Sequence, residues 1–419
     1  MRILLSEGSS SSARQVIYGL AKRHRLDLMD PSPWCQCRFS TAVRRRIACP
    51  PISRDPFGYA RSTLEAIARH KYDVLFPTHE QVYLFSKFRD FFGQHVGLAV
   101  PTFDAIERVQ SKANFVALMN ELGLPIPDSR IAKTREEIGQ QRLFPCYVKL
   151  AHSTASLGVE KVTKEEDLVA AIDRFESAGA WRPGEPVVLQ CPGVGIQSAA
   201  TGVFQHGRLV GFACSEILRT GIGGGPALRV SASHPIVREH LARLGRELVW
   251  HGPLSIEYFY DTDRDAPQYI EINPRIGETL NFEISGVPIC DAVARIAAGE
   301  RVEDLPEARP GVISHNGFIV MIADAYNGAT RRALIKRLWE HWRGRGVYGG
   351  YDSELTRPRE DVLSLVPATA VILRLLVAPR SAKELAYSTV DNYSLPHRAA
   401  TVIDEMPADA FQGLNLGRP

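Results

Sequence analysis

Two β-rich runs carry the residues best suited to chemistry. Leu254-Ser-Ile-Glu-Tyr-Phe-Tyr260 and Gln268-Tyr-Ile-Glu-Ile-Asn273 are separated by the turn-forming Asp-Thr-Asp-Arg-Asp-Ala-Pro. That pattern predicts an antiparallel hairpin. With the turn centred on Arg264, Glu257 and Glu271 fall directly opposite each other, their Cβ atoms roughly 4.5–5.5 Å apart on one face. Strand alternation puts Asn273 on that face too. Like charges in this position destabilise a hairpin, and a bound divalent cation reverses the sign. Two carboxylates and an amide oxygen are hard ligands of the kind magnesium accepts beside nucleotide phosphates. Glu257, Glu271 and Asn273 are therefore the candidate metal ligands, for magnesium or manganese. The alternative is a pair of glutamates on a solvated outer face. Asn273-Pro274-Arg275, following at once, weighs against it.

Lys149 ends an apolar strand entered through Phe144-Pro145. Ala151-His-Ser-Thr-Ala-Ser-Leu-Gly158 follows, then the run Val159 to Val162. Small residues let backbone N–H groups approach phosphates closely, and a lysine at the base of the loop supplies charge. This is not a Walker A motif, because no Gly-Lys-[Ser/Thr] opens a helix. Taken alone it is a small-residue turn with one lysine. A second segment, Arg219-Thr-Gly-Ile-Gly-Gly-Gly-Pro-Ala-Leu-Arg229, sets two arginines around a glycine-rich loop. Arginine suits bidentate recognition of phosphate or carboxylate; the alternative is a plain surface loop.

The elements around these motifs alternate. Ile3-Leu4-Leu5 reads as a buried first strand rather than the start of a leader, and Val16, Ile17 and Leu20 recur at helical spacing. Leu26 to Asp30 reads as a strand, Leu64, Ile67 and Ala68 mark a helix, and Val74-Leu75-Phe76 is the next strand. Strands alternating with helices predict a parallel, doubly wound sheet. No Gly-x-Gly-x-x-Gly follows the first strand, so the unit reads as Rossmann-like without a dinucleotide site. From about residue 110 the texture changes to a helix over Ala113 to Leu122 and strands at 146–150, 159–162, 187–190 and 196–204, with a helix over 164–177. Beyond about residue 305 only an apolar run (Phe318 to Ala323), a basic amphipathic helix (Arg331 to Arg343) and a Gly349-Gly350 turn can be parsed.

The composition of the 419 residues, 45% hydrophobic and 23% charged, excludes collagen, coiled coil, a disordered chain and a disulfide scaffold. A net charge of +3 gives no support for a nucleic-acid partner. Seven scattered cysteines favour free thiols in a reducing compartment, and cytoplasmic location is the expectation. The stretch Val366 to Pro379, interrupted by Arg374, is too short to span a bilayer, so stable membrane insertion is not expected.

Read together, these motifs resemble the ATP-grasp superfamily over roughly residues 1–300. Ser-Lys112-Ala-Asn-Phe matches the early lysine motif, and Leu-Gly-Leu-Pro-Ile-Pro, Phe-Pro-Cys-Tyr-Val-Lys149 and Ser153 to Gly158 follow in the family's order. The resemblance implies that Lys112 and Lys149 contact ATP phosphates or adenine, with Ser153, Ser156 and Gly158 in the loop over the phosphates. Gln190, Cys191 and Gly193 match the hinge whose backbone holds the adenine edge, and Gln197 falls where an acidic residue often binds the ribose. Both glutamines stand where the family often has acidic residues. Glu257, Glu271 and Asn273 match the magnesium ligands. Arg275 matches the arginine of Glu-x-Asn-Pro-Arg and forms, with Arg219 and Arg229, the candidate catalytic set.

The implied architecture is mixed α/β and α+β. It comprises a Rossmann-like domain (1–108), a two-part ATP-grasp core (lid 109–190, catalytic part 191–305) and a C-terminal extension (306–419). One core without a duplicate resembles carboxylate–amine ligases, which use ATP to form an amide or peptide bond through an acyl phosphate. The expected partners are a small-molecule carboxylate and an amine, with a homodimer left open. An ATP-grasp phosphotransferase, a carbamoyl-phosphate-synthase-like enzyme and a non-catalytic nucleotide-binding protein are the alternatives. Glu278 and Glu283 either receive a substrate ammonium or lie on a solvated helix face. His152 and His234 read as structural, and the basic helix as solvated.

Overall fold

The first strand, Arg2–Leu5, shows how the N-terminal region is layered. Ile3 and Leu5 join Val16, Ile17 and Leu20 in one core cluster, whereas Leu4 joins Tyr59, Leu64 and Ile67 in another. A strand buried on both faces belongs in a parallel sheet covered by helices on each side. In the computed structural model, which describes residues 1–153, 158–349 and 351–413, that sheet has five parallel strands. Their order is Val43–Ala48, Arg25–Asp30, Arg2–Leu5, Val74–Phe76 and Gly97–Leu98. The chain winds outward in both directions from the first strand, as the alternating pattern predicts. Helices Ser11–Leu20 and Pro56–His70 supply the two covering layers.

A four-stranded antiparallel sheet follows, ordered Ser129–Ala132, Val187–Gln190, Cys146–Leu150 and Val159–Val162. Helix Glu165–Ser177 buries Leu168, Ala171, Ile172 and Phe175 against Val148, Val187 and Leu189. This apolar stripe at helical spacing closes a small core of its own.

The third sheet has seven strands, in the order Ala266–Asn273, Gly252–Asp261, Ile196–Gln205, Arg208–Thr220, Pro226–Ala232, Ile313–His315 and Asp352–Ser353. Its last two strands come from the region that the sequence leaves largely unparsed. Helices Gly317–Tyr326, Arg331–Arg343 and Leu365–Val377 gather around Met321, Leu334 and Leu375. The chain then returns to the N-terminal core, where Leu395, Ala399, Ile403 and Phe411 are buried. All seven cysteines are free. Among the described residues no helix is long and apolar enough to cross a membrane.

The hairpin forms with one departure in register. Glu257 pairs with Glu271, but on the turn side Tyr258 pairs with Tyr269 and Asp261 with Ala266. The turn is therefore tighter than one centred on Arg264, and a bulge at Ile270 restores the facing of the two glutamates. Bulges of this kind re-aim side chains beside functional sites.

Candidate functional site

The three sheets meet at a cleft of about 600 Å³. The hairpin carries Glu257, Glu271 and Asn273 into it, and Arg275 follows on the same wall. Opposite stand two lysines. Lys112 is the first residue of helix Lys112–Glu121, whose cap is Ser111, its hydroxyl accepting from Asn114 N–H at 3.0 Å. A cation at a helix N-terminus is unfavourable on its own. Here it is compensated, because Lys112 Nζ lies 3.0 Å from Glu271 Oε1 and donates to the Ser153 carbonyl at 3.0 Å.

Lys149 sits near the end of the strand Cys146–Leu150, where it donates to Gln190 Oε1 at 2.6 Å and to the carbonyl of the bulged Ile270 at 3.4 Å. Gln190 passes the chain on through Nε2 to Ser129 Oγ at 2.9 Å. Burial lowers the Lys149 ammonium to about 8, against the opposing pull of Glu271. Burial, and then the Glu271 charge, push the Glu257 carboxyl up. Burial acts upward on Glu271 as well, but Lys112 and Lys149 outweigh it and hold that carboxyl below its ordinary value. The facing pair is thus not the bare repulsion that spacing alone suggests. One member is neutralised by lysine, and the other carries the strain.

Cys191, Gly193 and Gln197 continue the wall. Cys191 N–H donates to the Asp128 carbonyl at 2.8 Å. A Cβ at Gly193 would stand 2.3 Å from the Phe259 ring, so only glycine lets this segment lie flat on the hairpin. Gln197 Nε2 donates to the Gly224 carbonyl at 3.2 Å and ties the glycine-rich loop to the cleft. Ser153 lines the cleft. Gly158 lies behind it, where a Cβ would meet that of Ser153 at 2.7 Å. Ser156 lies outside the described residues.

The three arginines part company. Arg275 is in the cleft, donating from Nε to Glu80 Oε1 at 3.2 Å and from a terminal nitrogen to Asn273 Oδ1 at 3.2 Å. Arg219 is ion-paired with Asp324 of helix Gly317–Tyr326 and is not among the lining residues. Arg229 is buried behind the wall, paired with Glu278 and, at 2.8 Å, with Glu354. Of the histidines, His152 does line the cleft, stacked on His397, and burial lowers it to about 4. His234 stacks on Tyr260 away from the cleft. Glu283, half-buried, accepts from Cys290 N–H at 2.8 Å and is not among the lining residues.

Sequence reasoning missed Glu80, Gln110 and the aromatic wall of Tyr387 and Tyr393. Glu80 accepts from Gln110 Nε2 at 3.1 Å as well as from Arg275. Its signal was available: it follows the C-terminal end of the strand Val74–Phe76, and open parallel sheets bind ligands at such ends. Tyr393, packed against His79 with tilted rings whose centroids are 4.2 Å apart, comes from a segment with no motif.

The donor set matches hard-ion chemistry. Among the described residues no group of three or more His, Cys, Asp or Glu is gathered as a metal site. Two carboxylates and an amide oxygen instead suit magnesium, which keeps waters and binds phosphate oxygens beside few protein ligands.

No protein-family model matches the chain. It is similar to the C-terminal section of the carbamoyl phosphate synthase large chain from Methanopyrus kandleri, 23% identical over 239 residues. That match takes in 50% of this chain and 43% of the relative, so the chain spans less than half of the relative's length. Among solved structures, the ADP complex of N5-carboxyaminoimidazole synthetase from Staphylococcus aureus superposes with a TM-score of 0.61 at 14% identity, covering 81% of this chain and 86% of that one. The biotin carboxylase domain of Hydrogenobacter thermophilus 2-oxoglutarate carboxylase, bound to MgADP, ADP and bicarbonate, gives 0.58 at 18% identity over 72% and 70%. The L-amino acid ligase from Bacillus licheniformis gives 0.58 at 14% over 74% and 79%. The arrangement of sheets and these likenesses together make the chain an ATP-grasp-fold protein.

Proposed function

We propose that the chain is an ATP-dependent carboxylate–amine ligase that forms an amide or peptide bond through an acyl phosphate. The observation that carries this reading is the facing pair Glu257 and Glu271, with Asn273 and Arg275 on the same wall and two lysines across from it. In this reading residues 1–108, 109–190, 191–305 and 306–419 are its four parts.

Lys112 and Lys149 hold the ATP phosphates, with Ser153 and Gly158 beside them; Ser156, assigned the same role from the sequence, lies outside the described residues. Gln190, Cys191 and Gly193 receive the adenine, and Gln197 the ribose. Glu257, Glu271 and Asn273 hold magnesium, which supplies neutralising charge to the transferring phosphoryl group. A carboxylate is a poor electrophile because its charge is delocalised. Its oxygen attacks the γ-phosphorus, ADP departs, and the acyl phosphate now carries a leaving group. The amine adds to the carbonyl, loses a proton, and expels phosphate as the amide forms. Arg275 faces the reacting carboxylate and stabilises charge on the acyl phosphate and the tetrahedral intermediate. Arg219 and Arg229 act through the walls they brace.

The likeness to carbamoyl phosphate synthase, together with the fold neighbour bound to bicarbonate, favours one second reading, in which bicarbonate is the acid. Both readings predict ADP and phosphate. ADP release measured with bicarbonate alone, and then with pools of carboxylates and amines, separates them.

A further inference from the structure

Arg229 is shared by two carboxylates. It pairs with Glu278, and it donates to Glu354 from Nε at 2.8 Å and from a terminal nitrogen at 3.1 Å. Glu354 also accepts from Ser314 Oγ at 2.6 Å and from Gln15 Nε2 at 3.2 Å, which uses both of its oxygens. Burial, and the Glu278 charge against the pull of Arg229, push the Glu354 carboxyl up. One guanidinium thus serves two carboxylates, and buried charges require a partner.

Of the two carboxylates, Glu278 is the one that reaches the cleft. The Glu354 side chain is 1% exposed, whereas that of Glu278 is 15% exposed and lines the cleft. Ser11 Oγ donates to Glu278 Oε1 at 2.5 Å, which fixes the carboxylate while leaving acceptor capacity on both oxygens. Glu278 follows Arg275 by three residues and lines the same cleft. A substrate that presents a carboxylate to Arg275 and a cation to Glu278 satisfies both residues. Resting on the ligase reading, we propose that Glu278 is a specificity-determining residue that receives the ammonium group of an amino-acid substrate whose carboxylate faces Arg275.

The test uses the full chain with ATP and magnesium, and hydroxylamine as the common nucleophile. Amino acids are compared with their deaminated analogues, such as alanine with propionate and leucine with 4-methylpentanoate. The expected result is hydroxamate and ADP from amino acids, with kcat/KM about 10- to 100-fold lower for the analogues, the scale of a charged hydrogen bond. Glu278→Gln is expected to raise KM for the amino acid by a similar factor and erase the preference, with kcat and the Kd of a non-hydrolysable ATP analogue nearly unchanged. Calorimetric titration of the amino acid into the analogue-bound protein gives the same comparison without turnover. Should Glu278→Gln fail to fold, the wild-type comparison decides alone. Equal activity with the deaminated acids overturns this inference and leaves the ligase reading standing. Absence of ADP release with every carboxylate overturns the ligase reading itself.

Discussion

At one end of the cleft the charged groups, Lys112, Lys149, Glu257 and Glu271, sit on strands or at a helix start. At the far end, Glu80, Arg229, Arg275, Glu278 and Glu354 are drawn from across the chain and are held by ion pairs and by hydrogen bonds from Ser11, Gln15, Gln110 and Ser314. The first end is a template: backbone pairing aims its side chains, and its charges nearly cancel. The second is an assembly that exists only once the N-terminal sheet and the C-terminal region have docked. Under the proposed ligase reading, nucleotide handling is written into local structure, whereas substrate choice depends on tertiary closure.

The sharpest way to break this contrast is at the hairpin. Glu257→Gln and Glu271→Gln are each expected to reduce ADP release at least about 100-fold, on the scale of losing a preorganised charge at a reacting centre. The magnesium requirement should also move upward. A magnesium titration of the turnover rate checks both effects. Without the ion the two variants are expected to differ: Glu257→Gln removes a strained carboxylate and raises the melting temperature, whereas Glu271→Gln strands Lys112 and lowers it.

Arg275→Ala probes the junction between the two ends. It is expected to lower kcat about 100-fold while changing the Kd of an ATP analogue by less than about 3-fold, because the ligase reading assigns it to the charge that develops during reaction. Steady-state kinetics beside calorimetry separates these quantities. Equal losses in kcat and nucleotide affinity would move Arg275 to the nucleotide side.

Arg229→Met tests the far end as an assembly. Removing one partner of a buried ion network costs about 3–5 kcal/mol, and this substitution leaves Glu278 and Glu354 facing each other. Urea unfolding is expected to show a loss of that order.

Lys149→Met gives a smaller and more local effect. Affinity for an ATP analogue is expected to fall about 10-fold, while the free protein becomes more stable at pH 7. The sign follows from burial, which lowers the ammonium to about 8, below its ordinary 10.5. Between those values the unfolded chain holds the proton and the folded chain does not, so stability from this group rises with pH across that window. Below it the penalty is fully present, roughly 3 kcal/mol. Melting curves from pH 7 to 10 should rise less steeply in the variant.

The same contrast explains what could be read from the residues. The hairpin was legible because strand period is local, but the facing of Glu257 and Glu271, expected from a turn centred on Arg264, is reached instead through a tighter turn and a bulge at Ile270 that no local pattern announces. The strands Cys146–Leu150, Val159–Val162 and Val187–Gln190 and the helix Arg331–Arg343 fall where apolar periodicity puts them. Arg219 and Arg229 looked alike in sequence, flanking one loop. Their partners, Asp324 on one side and Glu278 with Glu354 on the other, lie far along the chain and carry no spacing signal. Tyr393 and Glu80 were hidden for the same reason.

The central claim, activation of a carboxylate by phosphorylation, is tested most directly by the products. The protein is incubated with ATP, magnesium, pooled carboxylates and hydroxylamine, and nucleotide, phosphate and hydroxamate are quantified together. The account predicts ADP, phosphate and hydroxamate in equal amounts, all dependent on the acid. AMP and pyrophosphate as the stoichiometric products would contradict it.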